Sequence, residues 1–195
     1  MNQNVKSLID SELQEAEKEL VNLRKRILDL QKQRKHALVK DYILFDLDGA
    51  KLKLSSLFGE MNDLIIVHNM GVRCAYCTLW ADGFNGVYHH LESRAAFALV
   101  SHDDPKTAKT FSESRNWNFT VLSNNEGDFT KDMGYEDVEG NPDPGISTFH
   151  RDSDGKIYRV AHTWFGEGDV FCAVWHIFDM LQDGVNGWSP RFEYE

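Results

Sequence analysis

The run Leu64-Ile65-Ile66-Val67-His68-Asn69 is apolar until its last two residues, and Gly71 punctuates it. From Cys74 to about Leu91, Cys77, Trp80, Ala81, Phe84, Val87, Tyr88 and Leu91 fall on one helical face. Ala95–Ser101 then returns to a strand pattern. A buried strand, a turn, a helix and a second strand form a βαβ unit, whose strands must run parallel with the helix as the crossover. No other feature restricts the fold as much, and it places the pair Cys74-Ala75-Tyr76-Cys77 at the strand-to-helix turn. Gly83 and Gly86 weaken that helix and predict a kink or a close contact there.

The flanking segments fit the same plan. Tyr42–Asp46 and Lys51–Leu54 read as short strands around an Asp48-Gly49 hairpin turn. Pro105–Trp117 reads as a helix, with Asp104 as N-cap and Pro105 in its first turn. Phe119–Leu122 is a short strand, and Asn124–Pro144 is polar with one helical turn at Phe129–Met133. Ile146–Arg151 and Lys156–Thr163 pair across Asp154-Gly155. Gly168–Leu181 reads as a helix with Val170, Val174, Ile177, Phe178 and Leu181 inward. The expected class is α/β, a mixed central sheet flanked by helices over residues 41–182, followed by an acidic, aromatic tail over 183–195.

Ahead of this domain lies a long N-terminal helical arm, residues 1–38, with its helix expected from Val5 to Leu38. Leu13, Ala16, Leu20, Leu23, Ile27 and Leu30 alternate at spacings of three and four, which makes a heptad seam that Arg34 ends. Periodicity does not name what covers the seam. It either packs on its own domain or pairs with another subunit as a homodimer.

Composition excludes several function classes. With 42% hydrophobic and 27% charged residues the chain is globular. A formal net charge of -10 disfavours nucleic acid and anionic membrane surfaces, which reward clustered Lys and Arg. No apolar run is long enough to span a bilayer. Met1–Leu13 is polar and lacks an apolar signal stretch, so a cytoplasmic location is expected. Three cysteines are too few for a disulfide scaffold. Cys172 reads as a small buried apolar residue.

The chemistry lies in the cysteine pair. Unpaired N–H groups and the positive end of the helix dipole stabilise a thiolate at Cys74. Arg73 is expected to act in the same direction. Cys77, one turn on, is within reach of a disulfide. Arg73, Tyr76 and Trp80 are candidate substrate contacts around the pair, although Trp80 on the inward face also reads as core. Cys172 and His176 lie four apart and would complete a Cys₃His zinc set with the pair, a weaker reading.

The segment Leu64–Cys77 resembles the strand and active-site turn of thioredoxin-like proteins. Glu17-Lys18-Glu19-Leu20, Cys77-Thr78-Leu79-Trp80-Ala81-Asp82-Gly83-Phe84 and Gly145-Ile146-Ser147-Thr148-Phe149 extend the likeness to an uncharacterised bacterial thioredoxin-like family over nearly the full length. The resemblance implies a thioredoxin-like fold. It implies a buried proton acceptor at His68, six residues before Cys74, and a substrate-backbone contact at Ile146, where thioredoxins carry a cis-proline. Pro144 is the nearest proline. The chain departs from peroxiredoxins, with Val67 and Gly71 at the positions of their Pro and Thr.

The function expected is a thiol–disulfide oxidoreductase that needs no cofactor and no metal, with Cys74 as nucleophile and Cys77 as resolving thiol. Its partner would be a disulfide-containing protein or a small thiol. Two alternatives stand: a redox-inactive interaction module that dimerises through the arm, and a cysteine-dependent peroxide reductase.

Overall fold

The computed structural model describes residues 11–194. Contacts divide the chain into two units, one ending at His36 and one starting at Ala37.

The first unit is helix α1, Ser11–Gln33, and none of its residues is buried. The expected start at Val5 lies outside the described residues. The expected end at Leu38 is corrected, because β1, Ala37–Val39, is already a strand. Its register with β8, Ile157–Trp164, sets Ala37 against Arg159 and Val39 against Ile157. The seam ends at Arg34, so further helix would bury nothing, whereas the edge of β8 offers a backbone ladder.

The second unit is one eight-stranded sheet in the order β1-β8-β7-β4-β5-β6-β2-β3. The other strands are β2 (Ile43–Phe45), β3 (Lys51–Lys53), β4 (Asp63–Asn69), β5 (Ala96–Ser101), β6 (Thr120–Ser123) and β7 (Gly145–Arg151). β4, β5 and β6 are parallel neighbours, as the βαβ pattern requires. β7 pairs antiparallel with β4 and with β8, and β2 antiparallel with β3 and with β6. The helices are α2 (Ala75–Glu92), α3 (Pro105–Ser114), α4 (Phe129–Asp132) and α5 (Ala173–Phe178). Asp104 caps α3, its carboxylate accepting the N–H groups of Lys106 and Thr107.

Successive residues of a strand face opposite sides, and β5 shows the result. Ala98 and Val100 enter one core with Leu64, Ile66, Phe129 and Tyr135. Phe97 and Leu99 enter the other with Val67, Trp80, Phe84 and Trp175. The first core is closed by the 3₁₀ turn Leu54–Phe58 and by α4, and the second by α2, α3 and α5. α2 runs as one helix through Gly83 and Gly86, and a Cβ at either would meet open space, so the expected close contact is absent.

The last helix is shorter than its pattern suggests. The Asp169 carboxylate takes the N–H groups of Phe171 and Cys172, and Gly168 sits at φ +82°, so helix begins only at Ala173. Val170, Ile177 and Leu181 are exposed; Val174 and Phe178 are half-buried as expected, and the fully inward residues are Cys172 and Trp175. The tail packs on the sheet unit: Trp188 meets Phe178 edge-on at 4.9 Å, and the Phe192 carbonyl accepts from Arg115. Among the described residues no helix is long and apolar enough to cross a membrane.

His68 is fully buried in the first core, stacked on Tyr135 with ring centroids 3.8 Å apart. Burial, then the charges of Arg159 and His162, hold its pKa well below the usual histidine value. The unfolded chain therefore binds a proton below about pH 6.5 that the folded chain does not. Stability is expected to fall as pH drops below that point, by about 1 kcal/mol per pH unit from this group until its folded-state pKa is reached. Urea unfolding between pH 7 and 5 should show a steeper loss in the wild type than in His68→Phe.

Candidate functional site

β4 is the origin of the site because it is hydrogen-bonded along both edges. Where it ends, the chain turns sharply into α2. The Asn69 side chain accepts the Gly71 N–H at 2.7 Å, and the Asn69 carbonyl accepts from His102. Asp103, just beyond β5, completes the turn: its Oδ2 accepts the Val72 N–H and the Ser101 hydroxyl, each at 2.8 Å. Gly71 has φ +106°, and a Cβ there would stand 2.7 Å from that same oxygen. Only glycine satisfies both demands.

The turn delivers Cys74 to the N-cap of α2 in an extended conformation (φ -98°, ψ 102°). Its Sγ accepts the Cys77 N–H at 3.0 Å, the bond an Asp or Ser makes at other N-caps. The Cys74 carbonyl takes the Thr78 N–H and hydroxyl, which seats the first turn. Both thiols are free.

The two sulfurs are tuned apart. Cys74, half-buried, has its pKa brought down to about 7. The first cause is a hydrogen bond from the Cys77 thiol, and the Cys77 and Tyr76 N–H groups add to it against the opposing effect of burial. Cys77 is buried and its thiol is pushed up, first by that same bond to Cys74, then by burial and the neighbouring charge. Arg73 is exposed and is not among the groups that lower Cys74, so its expected help is replaced by the helix N–H groups and the second thiol.

The other candidates divide. Tyr76 is held by two contacts: its hydroxyl bonds Glu167 and its ring stacks on Trp175 at 6.1 Å. Trp80 is core, packed on Phe165 at 5.1 Å and too buried to touch a substrate. Ile146 is half-buried opposite Val67 on the α2 side of the sheet, and its carbonyl accepts the Tyr135 hydroxyl. Among the described residues no peptide bond is cis, so Pro144 does not supply the thioredoxin feature.

His68 is not behind the cysteines. It shares the parity of Leu64 and Ile66 and faces the core opposite α2, where its Nε2 lies 3.0 Å from the Ser147 hydroxyl and its Nδ1 has no partner. The zinc reading also fails on placement. Cys172 is buried, His176 is exposed, and no cluster of three or more His, Cys, Asp or Glu forms among the described residues.

Asp103, Asn69 and Glu167 escaped the sequence reading. The available signal for Asp103 was its place just past the carboxyl end of a parallel strand, where open α/β sheets build their sites.

Residues 8–191 match a family described as a bacterial protein of unknown function, DUF899. The chain belongs to this family. No curated protein matches its sequence. Solved structures resembling this DUF899 chain include the peroxidoxin BcpB of Mycobacterium tuberculosis, at 24% identity and TM-score 0.53 over 64% of this chain and 82% of that one. Another is reduced Prx3 of Vibrio vulnificus in complex with H₂O₂, at 16% identity and TM-score 0.56 over 70% and 90%. A third is an uncharacterised thioredoxin-like protein from Porphyromonas gingivalis, at 20% identity and TM-score 0.51 over 69% and 86%. At these identities the likeness establishes the thioredoxin-like fold.

Two outcomes follow from the geometry. Iodoacetamide labelling of Cys74 should rise with pH around a midpoint near 7, while Cys77 stays unlabelled through neutral pH, as mass detection of each peptide would show. Gly71→Ala should destabilise the protein by about 1–3 kcal/mol and raise the Cys74 midpoint, because displacing the turn misplaces the N–H groups that hold the thiolate. Denaturant melts and the same labelling profile test it.

Proposed function

We propose that this chain is a thiol–disulfide oxidoreductase, with Cys74 as the attacking thiolate and Cys77 as the resolving thiol. The observation that carries the reading is the Cys74 sulfur at a helix N-cap, accepting the Cys77 N–H at 3.0 Å, with its pKa brought down to about 7 beside the thiol that would resolve it.

The sequence of steps follows from that asymmetry. The Cys74 thiolate attacks one sulfur of a substrate disulfide and the other leaves as a thiolate, giving a mixed disulfide. The negative charge on Cys74 is then gone, and with it the main cause that held the Cys77 proton. Cys77 loses that proton to the departing thiolate or to water and attacks the Cys74 sulfur. The substrate's second thiolate leaves, the substrate has gained two electrons, and the protein holds a Cys74–Cys77 disulfide. A second dithiol, acting by the same exchange, returns it to the reduced form.

The substrate class is a disulfide-bonded protein or a small disulfide, and a reducing compartment such as the cytoplasm suits this direction. His68 and Trp80 have no part in the proposed steps. Tyr76, two residues from Cys74 and bonded to Glu167, is the residue of the pair's turn proposed to meet the substrate.

Cys74→Ser should lower turnover of a model disulfide with dithiothreitol by about 10³-fold or more. Cys77→Ser should accumulate a mixed disulfide visible as a mass adduct on Cys74. Undiminished turnover by Cys74→Ser would overturn the reading. Peroxide consumption by the wild type, without disulfide turnover, would transfer the same cysteine to peroxide reduction.

A further inference from the structure

We propose that α1 pairs with α1 of a second copy of this chain, in an antiparallel two-fold arrangement. The apolar seam of α1 is exposed among the described residues: Leu13, Leu20, Leu23, Ile27 and Leu30 each stand at 47–54%. A 23-residue helix with no buried side chain has little to hold it in water on its own, since helices in proteins owe most of their stability to packing of an apolar face.

The seam carries a register. Taking Leu13, Leu20 and Ile27 as position a and Ala16, Leu23 and Leu30 as position d, an antiparallel pair sets each a residue against a d residue of the second copy. Leu13 then meets Leu30, Leu20 meets Leu23, and Ala16, the one small residue, meets the β-branched Ile27. Small faces large, which fills the interface evenly.

The flanking charges select the same orientation. Glu17 and Arg24 occupy position e, and Glu19 and Arg26 occupy position g. In an antiparallel pair e faces e and g faces g, so Glu17 meets Arg24 and Glu19 meets Arg26. Each contact occurs twice by the two-fold symmetry. A parallel pair would instead set Glu12 against Glu17, Glu19 against Arg24 and Arg26 against the neutral Gln31, and stack Ala16 on Ala16, so its one attractive contact is offset by a repulsive one. The acidic first half and basic second half of the helix are complementary along their whole length when two copies run in opposite directions.

The test is sedimentation equilibrium of the full chain over a range from low to high micromolar concentration. The wild type should show a reversible monomer–dimer equilibrium. Glu17→Arg should weaken it about tenfold, because two attractive contacts become repulsive. Arg24→Glu should do the same, and an equimolar mixture of the two variants should recover the wild-type affinity. α1 contains no aromatic residue, so near-UV circular dichroism reads the sheet unit alone and shows that each variant is folded. A monomer at every concentration would overturn the proposal. So would tighter association of Glu17→Arg, which a parallel pair requires, or an unchanged dimer, which would place the contact elsewhere.

Discussion

β4 is held by hydrogen bonds along both of its edges, in parallel to β5 and antiparallel to β7. A strand so placed has no freedom to slip by one residue, because a slip would exchange the two cores. Its alternation therefore decides which residues enter which half of the molecule. Val67 goes to the side of α2, and His68 goes with Leu64 and Ile66 to the other. The same fixation sets the height at which Asn69 leaves the sheet, and so where the next five residues must turn. Asp103 and Gly71 then hold that turn at a separation too small for any side chain.

From there the chemistry is local. The Cys77 thiol and the Cys77 and Tyr76 N–H groups act on the Cys74 sulfur, and none would do so if the helix began a residue earlier or later. The two cysteines are chemically identical in sequence and differ only in position along the first turn. The outer one sits where helix N–H groups are unspent. The inner one lies under the first turn, where burial and its neighbour's charge oppose ionisation.

The parts of this arrangement written in adjacent residues were legible. The βαβ unit follows from apolar runs and a helical face, the cap at Asp104 from Asp-Pro, and the β2–β3 hairpin from Asp48-Gly49. The parts that depend on residues far apart were not. Asp103 reaches Val72 across 31 positions, and Tyr76 reaches Glu167 across 91. The resemblance sets His68 behind Cys74, whereas the parity of its own strand sets it with Leu64 and Ile66, against Phe129 and Tyr135. The apolar spacing extends helix α5 too far because Asp169 and Gly168 act through a side-chain bond and a left-handed φ, neither of which disturbs that spacing. The end of α1 was overrun for the converse reason: Ala37–Val39 has no strand signal of its own and is a strand because β8 is there to pair with it.

The two outermost strands of the sheet, β1 and β3, are each three residues long. β3 reads Lys-Leu-Lys, and both of its lysines are exposed. Short, charged margins are poor templates for another chain's backbone. An eight-stranded sheet with long bare margins would offer itself to any unfolded segment that came near, and a molecule whose proposed work is to meet disulfide-bonded chains would meet such segments often. With both margins this short, sheet-to-sheet polymerisation finds little purchase, and contacts with other polypeptides are left to side chains.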